Sequence, residues 1–155
     1  MPSAGPKSIR LEVITPERVV VGEDTQSIIV PGVQGYLGVL PGHTPMVASL
    51  RIGVVKYKQG GSFRRVAVSG GFFEVAKDKA VILAETAERG EEVDVGRARA
   101  ALERARKRMA TRRDGNVDLA RAETSLQRAL TRLRAAGATP EKVFGQAERE
   151  GTDRE

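Results

Sequence analysis

Arg97, Arg104 and Arg108 stand at i, i+7 and i+11, and Arg121, Arg128 and Arg132 repeat that spacing. On helices each set forms one basic stripe. Folding two such helices back on each other about Gly115 brings residues equally distant from the turn to one level, so Arg97 meets Arg132 with Arg128 about one turn away. Three guanidiniums then converge at the start of the first helix, where free N–H groups and the positive dipole end also favour an anion. Asp94 sits at that start and can hold the arginines or accept from an adenine or ribose donor. The plainer alternative is a solvated basic face with Asp94 as a simple N-cap.

Residues 31 to 45, PGVQGYLGVLPGHTP, carry four glycines, three prolines and the only histidine. A phosphate-cradling glycine loop opens a helix and carries Lys-Ser/Thr, whereas here the strand-like MVASL follows. His43 has no cysteine partner, and no nucleophile or orienting acid can be assigned to it, so it reads as a hydrogen-bonded turn residue. What remains is a stiff loop with Tyr36 exposed between Gly35 and Leu37, the kind of shape that serves as a contact surface.

The chain has 155 residues, 40% of them hydrophobic, enough for one ordinary core and a smaller appendage. It has no cysteine, which excludes disulfides, thiolate metal sites and thiol nucleophiles and suits a reducing compartment such as the cytoplasm. No run of 18 apolar residues occurs, and MPSAGPKSIRLEVIT lacks the apolar stretch of a signal peptide, so any membrane association is expected to come through a partner. The net charge of +6 is uneven: +3 over residues 1–90, +5 over 91–136 and −2 over 137–155. A basic central block favours nucleic acid, an acidic protein surface or nucleotide phosphates. No aromatic residue lies between 91 and 136 for base stacking, and a close hairpin is not a helix-turn-helix. A basic module for nucleic acid or an acidic protein partner stands as the alternative reading.

These residues must be positioned by two kinds of element. From Ile9 to Thr86 the pattern is that of strands: IRLEVIT alternates Ile9, Leu11 and Val13 against Arg10, Glu12 and Ile14. Further short strands are expected over 18–21, 26–30, 46–50, 53–58, 62–69, 72–77 and 79–86, separated by glycine-rich turn signals. No helical period interrupts them, so residues 1–90 read as an antiparallel β-sandwich. After Glu92 the period becomes helical: Val95, Ala98, Leu102, Ala105 and Met109 form one stripe, and Leu119, Ala122, Leu126, Ala129 and Leu133 a second. The break at DGN, with Gly115 turning and Asn116 capping, makes residues 91–136 an antiparallel two-helix hairpin. Its alanine-rich seam buries little area, so the hairpin is weakly held and able to detach or open. Gly137 and Pro140 stop the second helix; the tail 137–155 and the first eight residues read as disordered.

The loop GVQGYLGVLPGHTPMVASLRIG, the segment AVSGGFFEV, the junction AETAERGEEVD and the hairpin ending RAETSLQRALTRL together resemble the epsilon subunit of bacterial F-type ATP synthases, from about Ile9 to Ala136. The resemblance implies a noncatalytic rotor subunit in the central stalk, peripheral on the cytoplasmic face of the cell membrane. It implies that the sandwich binds the gamma subunit and the c ring, coupling proton- or sodium-driven rotation to ATP synthesis. Gln34, Gly35 and Tyr36 fall on the family's ring-facing loop, and His43 on a loop residue without a catalytic role. The hairpin is implied to regulate: compact against the sandwich, or extended toward the alpha and beta subunits, where it blocks ATP hydrolysis. No cofactor is required, but some members bind a regulatory ATP through Ile/Leu-Asp, two variable residues and Arg-Ala. VDVGRA puts Asp94, Arg97 and Ala98 on that pattern, with Glu88 upstream and Arg128 and Arg132 at the matching places in the second helix. Val93 departs from the usual Ile or Leu, and Gly96 in the first helical turn costs up to about 1 kcal/mol relative to alanine.

Overall fold

The computed structural model describes residues 8–111 and 118–138. Its elements are β1 (Ile9–Ile14), β2 (Val19–Thr25), β3 (Ser27–Gly32), β4 (Gly35–Val39), β5 (Met46–Gln59), β6 (Ser62–Ala76), β7 (Lys79–Ala84), β8 (Ala87–Arg89), a 3-10 turn (Gly90–Glu92), α1 (Val95–Ala110) and α2 (Leu119–Ala135).

The strands connect in the order β2-β1-β7-β6-β5-β3-β4, with β8 added to β6. Two long strands link the layers of a sandwich. The end of β6 from Gly71 to Ala76 pairs with β7, whereas Val66 to Val68 pair with β8; the last third of β5 pairs with β3. Ile9, Leu11 and Val13 point inward, as their alternation predicts, and meet Val21, Ile28, Val30, Val55, Phe73 and Ile82 in one buried core.

Four of the expected strands are in fact two. Residues 46–50 and 53–58 lie in β5, and 62–69 and 72–77 lie in or against β6. Gly70 and Gly71 do not end a strand: with φ of 78° and 135° they bend it, and pairing skips from Leu50↔Gly71 to Ile52↔Ser69. A second difference is β4, which pairs Gly35 to Val39 with β3 inside the stretch expected to be loop. The third is the pairing of β1 with β7, which is parallel although every other pair is antiparallel. No crossover helix is needed, because the chain between them runs through the intervening strands.

α1 starts where Asp94 Oδ1 accepts from the Arg97 backbone N–H at 3.1 Å. The start of α2 is capped by Asp118, which accepts from Arg121 N–H at 3.2 Å, in place of the expected Asn116. Asn116 itself, Gly115, Pro140 and the tail beyond residue 138 lie outside the described residues, as do residues 1–7. At the other end of α2, Gly137 takes φ 75°; Ala138 N–H bonds Leu133 O at 2.8 Å and Gly137 N–H bonds Arg134 O at 3.0 Å, which satisfies carbonyls the helix would leave open. Ala98 and Leu102 of α1 pack with Ala129 and Leu133 of α2 in the seam, the pairing an antiparallel hairpin requires. α2 in turn lies on β5, β6 and the 3-10 turn, so the hairpin is docked on the sandwich with α1 resting on α2. The contact is close at Gly90, where a Cβ would collide with the Ala135 carbonyl.

Candidate functional site

A half-open cavity of about 360 Å³ lies at the seam between sandwich and hairpin. α2 contributes Arg128 and Arg132, four residues apart and therefore on one face, with Thr131 between them. β8 contributes Glu88, and the turn between β1 and β2 contributes Thr15, Glu17 and Arg18. Its floor is outward-facing sandwich, with Ile52 and Ala67 beside the Ser69 and Thr86 hydroxyls, which hydrogen-bond each other.

Arg132 donates from Nε to Glu88 Oε2 at 2.8 Å and from Nη2 to Oε1 at 3.3 Å. The Glu88 carboxylate so bound holds the Arg132 guanidinium above its ordinary pKa against the opposing effect of burial, and Asp94 adds a smaller pull in the same direction. Arg128 has no hydrogen-bond or ion-pair partner among the described residues. Among the described residues the Arg18 guanidinium has one polar partner, Nη2 to Glu92 Oε2 at 3.0 Å.

Of the nucleotide residues named from the sequence, Glu88, Arg128 and Arg132 share this cavity. Asp94 serves as the α1 cap, Ala98 is wholly buried in the helix seam, and the Arg97 side chain is exposed on α1 outside the cavity wall. Gln34, Gly35 and Tyr36 form the exposed turn into β4; Tyr36 is 57% exposed, and the Arg51 guanidinium lies 4.9 Å from its ring centre. His43 Nδ1 is 2.6 Å from Thr44 O in an exposed turn, in keeping with a turn residue. Arg18, also on this wall, is not among the residues named from the sequence, which places it at the start of an expected strand over 18–21; nothing local indicates that it shares a cavity with α2.

A family model described as the ATP synthase delta/epsilon chain beta-sandwich domain matches residues 8–90, and one described as the delta/epsilon chain long alpha-helix domain matches residues 91–137. The ATP synthase epsilon chain of Moorella thermoacetica is 54% identical over 132 residues, covering 84% of this chain and 98% of that one. The epsilon chain of Pelotomaculum thermopropionicum is 54% identical over 131 residues, covering 84% and 97%. Among solved structures, a chain in the cryo-EM structure of the Euglena gracilis mitochondrial ATP synthase, OSCP/F1/c-ring in rotational state 1, superposes with a TM-score of 0.71 at 26% identity, covering 88% of this chain and 85% of that one. No described helix is long and apolar enough to cross a membrane. Both halves of the fold, and relatives matched along nearly their whole length, lead to one conclusion: this chain belongs to the ATP synthase delta/epsilon chain family and is a noncatalytic rotor subunit of the F-type enzyme.

Proposed function

We propose that this subunit couples c-ring rotation to ATP synthesis through its sandwich and restrains ATP hydrolysis through its hairpin, with ATP favouring the docked hairpin. In this reading the sandwich binds the gamma subunit, and the turn of Gln34, Gly35 and Tyr36 meets the c ring at the cytoplasmic face of the cell membrane. The exposed aromatic at that turn supports the contact. An undocked hairpin reaches toward the alpha and beta subunits, where its basic stripes meet acidic surface.

The observation that carries the regulatory part is the cavity between α2 and the sandwich, with Arg128 on its wall, without a partner among the described residues, beside the Glu88–Arg132 pair. Its residues suit an anionic ligand: one guanidinium awaits a partner, and about 360 Å³ lies within the range of small-molecule sites. A ligand bridging α2 and the sandwich binds only the docked form and so stabilises it. Asp94, whose charge acts on Arg132, and Arg97 lie off this wall, and a ligand would meet them only by extending past it toward the start of α1.

Calorimetric titration of ATP into the isolated subunit, with Arg97→Ala and Arg132→Ala as controls, tests this. Binding by the wild type that Arg132→Ala weakens supports a nucleotide sensor, and the Arg97→Ala result decides whether α1 takes part. Absence of binding restricts the arginines to protein contacts.

A further inference from the structure

We infer that Arg18, on the turn between β1 and β2, is the third phosphate-binding cation of the cavity and closes on the ligand from the sandwich side. The inference rests on the nucleotide reading above and adds a residue outside the Asp-x-x-Arg-Ala pattern.

With Arg18 the wall carries three arginines and three glutamates, so Arg18 is what brings it to neutrality. Arg128 and Arg132 share the lining with three carboxylates, Glu17, Glu85 and Glu88, so without Arg18 the wall would be net negative and disfavour a polyphosphate. Arg97 is exposed on α1 and does not lie on this wall, whereas Arg18 does. Arg18 lines the cavity from the sandwich, so an anion held by Arg18 and by the α2 arginines ties the sandwich to the hairpin.

The backbone beneath Arg18 is fixed while its side chain is not. Thr15 Oγ1 accepts from the N–H groups of Glu17 at 3.4 Å and Arg18 at 3.2 Å, and Thr15 N–H bonds Arg18 O at 2.9 Å. Among the described residues the guanidinium has only Glu92 as partner, and both side chains are about half exposed, at 53% and 43%. Such an exposed pair contributes little, so exchanging Glu92 for a phosphate oxygen loses at most about fivefold in affinity. A guanidinium–phosphate hydrogen bond in a partly enclosed site gains more.

The test is calorimetric titration of ATP into the full chain and into Arg18→Ala, Arg18→Lys and Glu92→Gln, with thermal unfolding of each variant as a folding control. Direct contact predicts about tenfold or greater loss for Arg18→Ala, partial recovery for Arg18→Lys, and unchanged or up to about fivefold tighter binding for Glu92→Gln. If Arg18 acts only by tying the turn to Glu92, Glu92→Gln weakens binding as much as Arg18→Ala, and the inference falls. It falls equally if Arg18→Ala binds within twofold of the wild type. A wild-type chain that binds no ATP overturns the nucleotide reading itself and this inference with it.

Discussion

Glu88 and Arg132 form a bidentate pair, at 2.8 and 3.3 Å, that joins β8 to α2. Both side chains are about 30% exposed, so the pair is neither a screened surface contact nor a fully desolvated one. Two parallel hydrogen bonds place it near the upper end of surface ion pairs, about 1 kcal/mol of docking free energy. Glu88→Gln removes the charge and one acceptor. It is expected to raise amide exchange across α2 several-fold while leaving the β1–β7 amides unchanged. Equal exchange in both proteins would show that apolar packing alone docks the hairpin.

The helix seam gives a second expectation. Ala98 is fully buried against a cluster that includes Leu102, Ala129 and Leu133, and its small size sets how closely the helices approach. Ala98→Leu forces them apart at a cost of about 1–3 kcal/mol. Because the sandwich core is a separate cluster, the loss should appear in the hairpin alone. Circular dichroism on heating should then show helical signal lost before strand signal, where the wild type loses both nearer together.

What was legible in the sequence followed local periodicity. Ile9, Leu11 and Val13 alternate because one face of β1 is core, and the two helical stripes follow from one seam, so both were readable without tertiary knowledge. The continuity of β5 and β6 was not, since Gly70 and Gly71 bend a strand with the same residues that commonly end one. β4 was hidden because Pro31 and three further glycines from Gly32 to Gly38 read as loop, yet Pro31 pairs with Tyr36 and packs over Gly53. Of the residues named from the sequence, Glu88, Arg128 and Arg132 line one cavity, the arginines named by helical spacing and Glu88 by family resemblance, whereas Asp94, Arg97 and Ala98 lie outside its wall. Arg18 was beyond reach, because its place on the same cavity wall as α2 depends on packing between distant segments.

The bend at Gly71 is also a stability test. Its φ of 135° is accessible to glycine, and a Cβ there would strike the Leu83 carbonyl, which belongs to a paired strand and cannot swing aside. Gly71→Ala is expected to cost more than about 2 kcal/mol. Gly61 provides the contrast: its φ is 83°, but nothing lies within 4 Å, so Gly61→Ala bears backbone strain alone, about 1 kcal/mol. Denaturant midpoints should fall in that order. Equal shifts would mean that the close approach to Leu83 relaxes without cost.

Tyr57 makes stability pH-dependent in the alkaline range. Burial pushes its phenol up to about 12, and the neighbouring Glu23 carboxylate adds to the rise while Arg89 and Arg64 oppose it. The neutral phenol is therefore favoured in the fold relative to the unfolded chain, which ionises near 10. Between these values the folded state binds more protons, so stability falls as pH rises through this window and is unaffected by this group below it. Two units correspond to at most about 3 kcal/mol. Tyr57→Phe removes the ionisation, so the wild type should lose more stability than the variant between pH 10 and pH 12, by chemical denaturation at fixed ionic strength. Parallel curves for the two proteins would show that the phenol reaches solvent before it titrates.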